Sequence, residues 1–582
     1  MTKIQQNNNI QLSALQISQL ERQGCYAKDW STIMIDPTTD LSLIRNVRFY
    51  GDVQIGSLID ADIECGLFNA VVRDCKIGNN VYINNVGGEL RGCRIGDNVR
   101  IDNVGRIVNI SEAACGLGTP VCVLDETGSR PVYIYPGISA QMAALMAYKP
   151  QFTEDVLLPK LQDLFVSRPL SLTIGNNVSI TDTVSIFNVH IDANVKIEGA
   201  QHLKNGAIIN NSTIGESLAY VGTGVDAENF IIEDAEVSTN ATLRNCYVGQ
   251  GCAIVKGFTA HDSLFFANSV CENGEACAIF AGPHTVSMHK SSLLIGAQYM
   301  FMNAGSGTNS SNHMYKLGPS HWGIMERGVK TSSDAYMMWQ GKIGAFSLLM
   351  GSHKTHPDTS PFPFSYLFSN EKNETIVVPG IMLKSCGLLR DATKWPARDK
   401  RSKYGLPFND NVCYEVLNPQ TVGTMIVALQ LFDEIESTKV GEDGMYCYNG
   451  LKLKPSSVSK GREYYRQAIL KYFYEKTHNV DISTYEPEDM QWIDFVGQII
   501  PVHIFETIYK KDSLIAISNI FKQAFKDYHE LELKWIAYQM QNGWKEVMHE
   551  AKTASEKFDE AIQKDRQNSR QMLKDQNKLL SV

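Results

Sequence analysis

The chain has no uncharged apolar run long enough to span a membrane, and its opening stretch, MTKIQQNNNIQLSALQ, has no apolar centre of signal-peptide type. Those two absences make the expected location cytoplasmic. Basic residues are not in excess. The chain has 54 Lys and Arg against 63 Asp and Glu, for a formal charge of -9, which argues against a general binder of nucleic acid or anionic membrane. Thirteen cysteines are present, but none falls in a CxxC pair, so metal ligation and redox exchange give way to small buried thiols, among them Cys75, Cys93 and Cys246. A P-loop, a dinucleotide-binding glycine fingerprint and an HExxH helix are also missing, and no bound cofactor is expected.

What the sequence does contain is a repeat. Residues 77–88 read IGNNVYINNVGG, and eighteen positions later the chain reads IGDNVRIDNVGR. Counting in sixes from Val47 gives one column of Val53, Ile59, Cys65, Val71, Ile77, Ile83, Ile95, Ile101 and Ile107, broken only by Glu89. A helix would need spacings of three and four, and an exposed strand would alternate in twos without a fixed return every six. Six within eighteen suits a three-sided coil with aliphatic residues stacked inside. Gly, Asn and Asp then relieve the corners, where positive φ is required.

This pattern resembles the hexapeptide-repeat, left-handed parallel β-helix superfamily, in which many members are acyltransferases. The resemblance implies a mainly β fold, and helical spacing after about residue 410 adds a helical C-terminal region. The expected layout is a lead-in over 1–46, repeats over 47–114, an inserted α+β subdomain over 115–170 and repeats again over 171–300. Irregular coils with site loops follow over 301–410 and helices over 411–582. The insertion reads as a hairpin turning at Glu126-Thr127-Gly128, then helices such as SAQMAALMAY. Residues 511–577 read as one long helix or two in succession.

Two segments carry the chemistry that the superfamily implies. In GFTAHDSLFFANSVCENGEACAIFAGPH, His261 followed by Asp262 supplies a general base with an orienting carboxylate, and the segment is similar to the Ala-His-Asp and Ala-Gly-His site of sugar-nucleotide O-acyltransferases. That likeness makes His284 a second site residue. LLMGSHKTHPDTSPFPFSYLFSNEK resembles the histidine loop of hexapeptide-repeat acetyltransferases, with His353 or His356 as base, Asp358 beside it, and Phe362, Phe364 and Tyr366 as pocket walls. Around these, a Gly/Ser/Asn-rich stretch offers His313, His321, Trp322 and Arg327 for substrate binding. A basic segment offers Arg390, Lys394, Trp395, Arg398 and Arg401 for the phosphates and base of a CoA-type cosubstrate. The expected activity is transfer of an acyl group from CoA or a carrier thioester to a sugar, sugar-nucleotide or amine. The expected assembly is a homo-oligomer, with a trimer the form common in the superfamily. The competing reading is a non-catalytic β scaffold that recognises a phosphorylated ligand or partner.

Overall fold

The structure, a computed structural model, describes residues 9–59, 64–110, 114–313, 318 and 320–580. The first eight lead-in residues and part of the Gly/Ser/Asn-rich stretch lie outside the described residues.

The chain is mainly β, with a long, largely parallel ladder and helices toward the C-terminus. Short strands return to the same place every sixteen to twenty-four residues over most of the length and form three parallel ladders. In the first, Ile77, Ile95, Ile174, Ile191, Ile208, Ile232 and Val248 lie rung on rung. The second stacks Ile83, Ile101, Ile180, Ile197, Val221, Val237 and Ile254. The third stacks Leu90, Ile107, Ile186, Leu203, Ala227, Leu243 and Ala260. These side chains are buried in one continuous core. Each large aliphatic contributes about 1.5–3 kcal/mol by leaving water.

The six-residue column therefore visits the three ladders in turn, but its frame slips locally. Ile59 is 47% exposed, and Val71 and Glu89 are half-buried, while Leu67, Val72 and Leu90 take the inward places. Three columns of corners join the ladders, and many corner residues are Asn at positive φ, as at Asn98, Asn177 and Asn194. Each corner side chain hands a hydrogen bond to the next: Asn98 Nδ2 donates to Asn177 Oδ1 at 3.2 Å, and Asn177 Nδ2 to Asn194 Oδ1 at 3.0 Å. Asparagine tolerates this conformation because its short amide bonds locally.

The insertion leaves after Val108 and returns at Thr173 without loss of register, since Ile101 pairs Ile180 directly. It contains the hairpin Pro120–Cys122 with Pro131–Tyr133, whose turn is tied by Asp125 to the Thr127 N–H and the Ser129 hydroxyl. Next comes the helix Ala140–Tyr148, capped by Ser139 and buried on nearly every side. The insertion covers the outward side of the first ladder, where Ala207, Ile231, Tyr247, Leu264 and Phe280 form a second apolar core beneath it.

Regular rungs continue beyond residue 300, where the sequence reading expects irregular coils. Tyr299, Ser310, Met325, Met337, Ile343, Leu349, His353 and Leu367 occupy or adjoin the inward columns. Mixed residue types at these places hide the six-residue grammar. The helices Pro419–Ser437, Pro455–Thr477, Leu514–Lys526, Tyr528–Gln539 and Ala551–Leu580 follow. The tail is three helices in succession rather than one or two: Asp527 separates the first pair, and Asn542 and Gly543, the latter at φ +101°, break the chain before Ala551. Among the described residues no helix is long and apolar enough to cross a membrane.

Candidate functional site

The strand Thr259–Phe265 begins in the third ladder and turns at Asp262 into the first. Ala260 points inward, so alternation turns His261 outward, and 58% of its side chain is exposed. Asp262 occupies the next corner at φ +47°, after Asn205, Asn229 and Asn245 in the same column. Asn205 bonds Asn229, Asn229 bonds Asn245, and Asn245 Nδ2 donates to Asp262 Oδ1 at 3.1 Å. The carboxylate is thereby fixed from behind. Its other oxygen, Oδ2, lies 2.6 Å from His261 Nδ1, which leaves Nε2 without a partner among the described residues. A histidine oriented through one nitrogen and open at the other has the geometry of a general base.

The ladder sets its neighbours. Arg244 sits one rung before His261 and Cys277 one rung after. Arg244 is engaged, with Nη2 donating to Asp226 Oδ2 at 2.8 Å. The inserted hairpin packs against the strands Thr242–Val248 and Thr259–Phe265 and brings Glu126 to the same edge. Cys277 Sγ donates to Glu126 Oε1 at 3.3 Å, and His313 Nε2 lies 3.7 Å from Glu126 Oε2. Burial, reinforced by Glu126, pushes the Cys277 thiol up to about 12, so it is protonated at neutral pH and is no thiolate nucleophile. Glu126, Arg244 and Cys277 escape a motif search. Offsets of seventeen residues back and sixteen forward from His261, the local rung spacing, locate the latter two.

The other expected site residues lie elsewhere, and several are occupied. His284 is at a different corner, in the column of Gly251, Asn268, Phe301, Gly328, Phe346 and Phe364. It is buried, stacks on Phe301 and bonds the Tyr414 hydroxyl at 3.2 Å. Tyr414 in turn donates to Asp399 at 2.7 Å. Burial pulls the His284 imidazole down to about 3. His261 and His284 are therefore not one constellation.

The expected cradle for base and phosphates is not presented. Trp395 is buried against Phe301 at 4.6 Å and Phe346 at 6.2 Å. Arg401 is buried and holds Asp399 and the Asp410 carbonyl. Both lock the segment onto the corner column. Arg390, Lys394 and Arg398 are exposed along the helix Cys386–Arg398.

His353 is a core residue rather than a loop base. It faces Met337 in the third ladder and is fully buried, with Nδ1 on the Thr375 hydroxyl at 2.8 Å and Nε2 on the Met350 carbonyl at 3.1 Å. Neither nitrogen is open to a substrate. Phe362 and Phe364 are also buried, stacked on Phe432 and Phe346, and wall no acceptor pocket. His356 is half-buried at φ +53° and does not pair with Asp358, whose Oδ1 accepts from the Ser360 N–H and hydroxyl. His321 is half-buried, and Trp322 wedges between Tyr148 and Arg130.

Arg327 acts as a clamp. Fully buried, its Nε donates to Asp494 Oδ2 at 2.6 Å, Nη2 donates to the Gly497 carbonyl at 3.0 Å, and Nη1 donates to the Cys413 carbonyl. It ties the hairpin Trp492–Phe495 and Gln498–Pro501 to the ladder. No metal-holding group of three or more His, Cys, Asp or Glu side chains occurs among the described residues.

Comparison with known proteins gives similarity without an activity. The chain is 23% identical over 605 aligned residues to an "Uncharacterized protein" of Treponema pallidum (strain Nichols), covering 90% of this chain and 79% of that protein. The family described as "Domain of unknown function (DUF4954)" matches residues 10–436, a span that takes in all three ladders, the insertion and the His261–Asp262 corner. That match covers more than half of the chain, which therefore belongs to the DUF4954 family.

Proposed function

We propose that the ladders wind as a left-handed parallel β-helix of the hexapeptide-repeat type, and that the protein is an acyltransferase with His261 as its general base. One observation carries the reading: Asp262, held by the asparagine column, engages His261 Nδ1 at 2.6 Å while Nε2 stays open. The acceptor, a sugar, sugar-nucleotide or amine, would lie along the edge between the third ladder and the inserted hairpin. Its hydroxyl or amine attacks the thioester carbonyl as Nε2 takes the proton. The tetrahedral intermediate then collapses, the carbon–sulfur bond breaks, and the imidazolium returns its proton to the leaving thiolate. Ester or amide and free thiol are the products. Asp262 keeps the ring in the tautomer with Nδ1–H and steadies the imidazolium. In this reading the protein works in the cytoplasm as a homo-oligomer.

The test is thiol release from acyl-CoA thioesters of graded chain length, with and without a panel of nucleotide sugars and amino sugars. Acceptor-dependent release that falls by about 10²–10⁴ in His261→Ala supports the assignment. Release that persists in that variant removes His261 as the base. A second reading, an anion-recognising scaffold, draws on the exposed Arg390, Lys394 and Arg398, four residues apart along one helix. It requires saturable binding of a phosphorylated ligand, no transfer, and loss of binding when those three residues become alanine.

A further inference from the structure

The acceptor's side of the His261 edge has a definite charge. His261 and Cys277 face outward from neighbouring rungs, which lie about 4.8 Å apart. Cys277 Sγ donates to Glu126 Oε1 at 3.3 Å, so the Glu126 carboxylate stands one rung on from the open Nε2 of the histidine. The hairpin carries it there by crossing the corner column, where the Leu124 N–H donates to the Ala278 carbonyl at 2.7 Å. Asp125, not Glu126, ties the turn through Thr127 and Ser129. Glu126 is thus exposed at a fixed place without being needed to hold it.

Earlier in the same ladder the outward carboxylates have their cations. Lys204 Nζ lies 2.6 Å from Glu228 Oε1, and Arg244 Nη2 lies 2.8 Å from Asp226 Oδ2. Beside His261 this matching stops. Arg244 has nothing left to give, because Nη1 donates to the Asp226 and Leu243 carbonyls. Arg130 of the hairpin is turned to Asp125, the Ala147 carbonyl and the face of Trp322. Among the described residues Glu126 has no Lys or Arg partner, and His313 lies 3.7 Å from its second oxygen. Glu275 precedes Cys277 by two residues on the same side and is also exposed.

Such an edge repels a phosphate and gives an uncharged sugar only neutral hydrogen bonds. An ammonium gains a charge-assisted bond, the stronger kind. Resting on the acyl-transfer reading, we propose that Glu126 selects the acceptor: an amino sugar or other amino alcohol whose ammonium sits on the Glu126 carboxylate while a neighbouring hydroxyl meets His261 Nε2. The ammonium is bound and not consumed. The hydroxyl oxygen forms the new bond to the acyl carbon, the carbon–sulfur bond breaks, and the hydroxyl proton passes through His261 to the leaving thiolate. Sugar-nucleotides are excluded by their diphosphate.

The experiment is calorimetric titration of the full-length protein, without acyl donor, with glucosamine, glucose and uridine diphosphate glucose. Glucosamine binds saturably and about tenfold or more tighter than glucose, and Glu126→Gln removes that preference, the loss of one hydrogen bond to a charged group. Uridine diphosphate glucose binds no better than glucose. In thiol release from acetyl-CoA, the same variant raises KM for glucosamine by a similar factor and leaves kcat within about twofold, as loss of uniform binding requires. His261→Ala stops the release and keeps the glucosamine binding. The proposal is overturned if glucosamine and glucose bind alike, if the nucleotide sugar binds tighter than glucosamine, or if Glu126→Gln binds glucosamine like the parent. Charge-selective binding without thiol release from any acceptor keeps the ammonium contact and removes the acyl-transfer reading, so the two fail separately.

Discussion

The rungs between residues 174 and 254 and those between 299 and 367 use one backbone pattern with opposite placement of polar groups. In the earlier rungs the inward columns are Ile, Val, Leu and Ala, and polar side chains face outward, as Lys204, Glu228, Arg244 and His261 do in succession. In the later rungs polarity moves inside. Ser310 and His353 occupy inward places, Trp339 fills the interior, and each has found a partner. A histidine outside a ladder is available for chemistry, whereas one inside it is a structural part that must stay neutral. The difference is set by which side of a strand the residue falls on, a matter of one position.

The sharpest way to break the later rungs is through Trp339. Its indole donates to the Ile295 carbonyl at 2.7 Å, and Gly323 has no side chain where the ring lies. Trp339→Ala is expected to cost about 3–5 kcal/mol in denaturant unfolding, whereas Ile180→Val in the earlier rungs should cost only about 1 kcal/mol.

Acid separates the two regions next. Burial pulls His353 from 6.5 down to about 4. Below pH 6.5 the unfolded chain takes up the proton first. The folded form therefore keeps its full advantage above 6.5 and loses about 3 kcal/mol as pH falls toward 4. Glu233, pushed up to about 7 by burial, slopes the other way between 4.5 and 7, because there the folded state holds the proton. The comparison is therefore between the parent and His353→Gln: the difference between their unfolding free energies cancels the Glu233 contribution and should shift by about 3 kcal/mol against the parent as pH falls from 6.5 to 4.

The corners give a smaller effect. Asn229→Ala places a Cβ without an amide at φ +56° and cuts two links of the column, for a loss of about 1–2 kcal/mol. Asn229→Gly keeps the conformation and should lose less. Smallest of all, Arg390→Ala, Lys394→Ala and Arg398→Ala, each exposed, should each stay within about 0.5 kcal/mol of the parent.

The same contrast explains what could be read in advance. Ile77, Ile83, Ile95 and Ile101 announce the ladder because only one residue class fills those places. Past residue 300 the interior accepts Ser310, Met337 and His353, so the repeat vanishes from the sequence while the strands continue. For the same reason His353 looked like a site residue: a histidine flanked by polar residues gives no sign that its strand turns it inward. Trp395 and Arg401 misled in another way. Phe301 and Phe346, which cover Trp395, lie on segments that only the fold brings to it, and Arg401 is spent on Asp399, two residues before it, and on the Asp410 carbonyl. His261–Asp262 was legible because its two members are adjacent in sequence.

The most direct test of the central claim is Asp262→Asn, measured for unfolding free energy and for acceptor-dependent thiol release. Asparagine occupies the same corner at positions 205, 229 and 245, so the variant should fold within about 0.5 kcal/mol of the parent. If Asp262 serves the histidine, transfer should nonetheless fall by about a hundredfold or more. Full transfer by the Asp262→Asn protein would make Asp262 one more corner residue and would contradict the assignment of His261 as an oriented base.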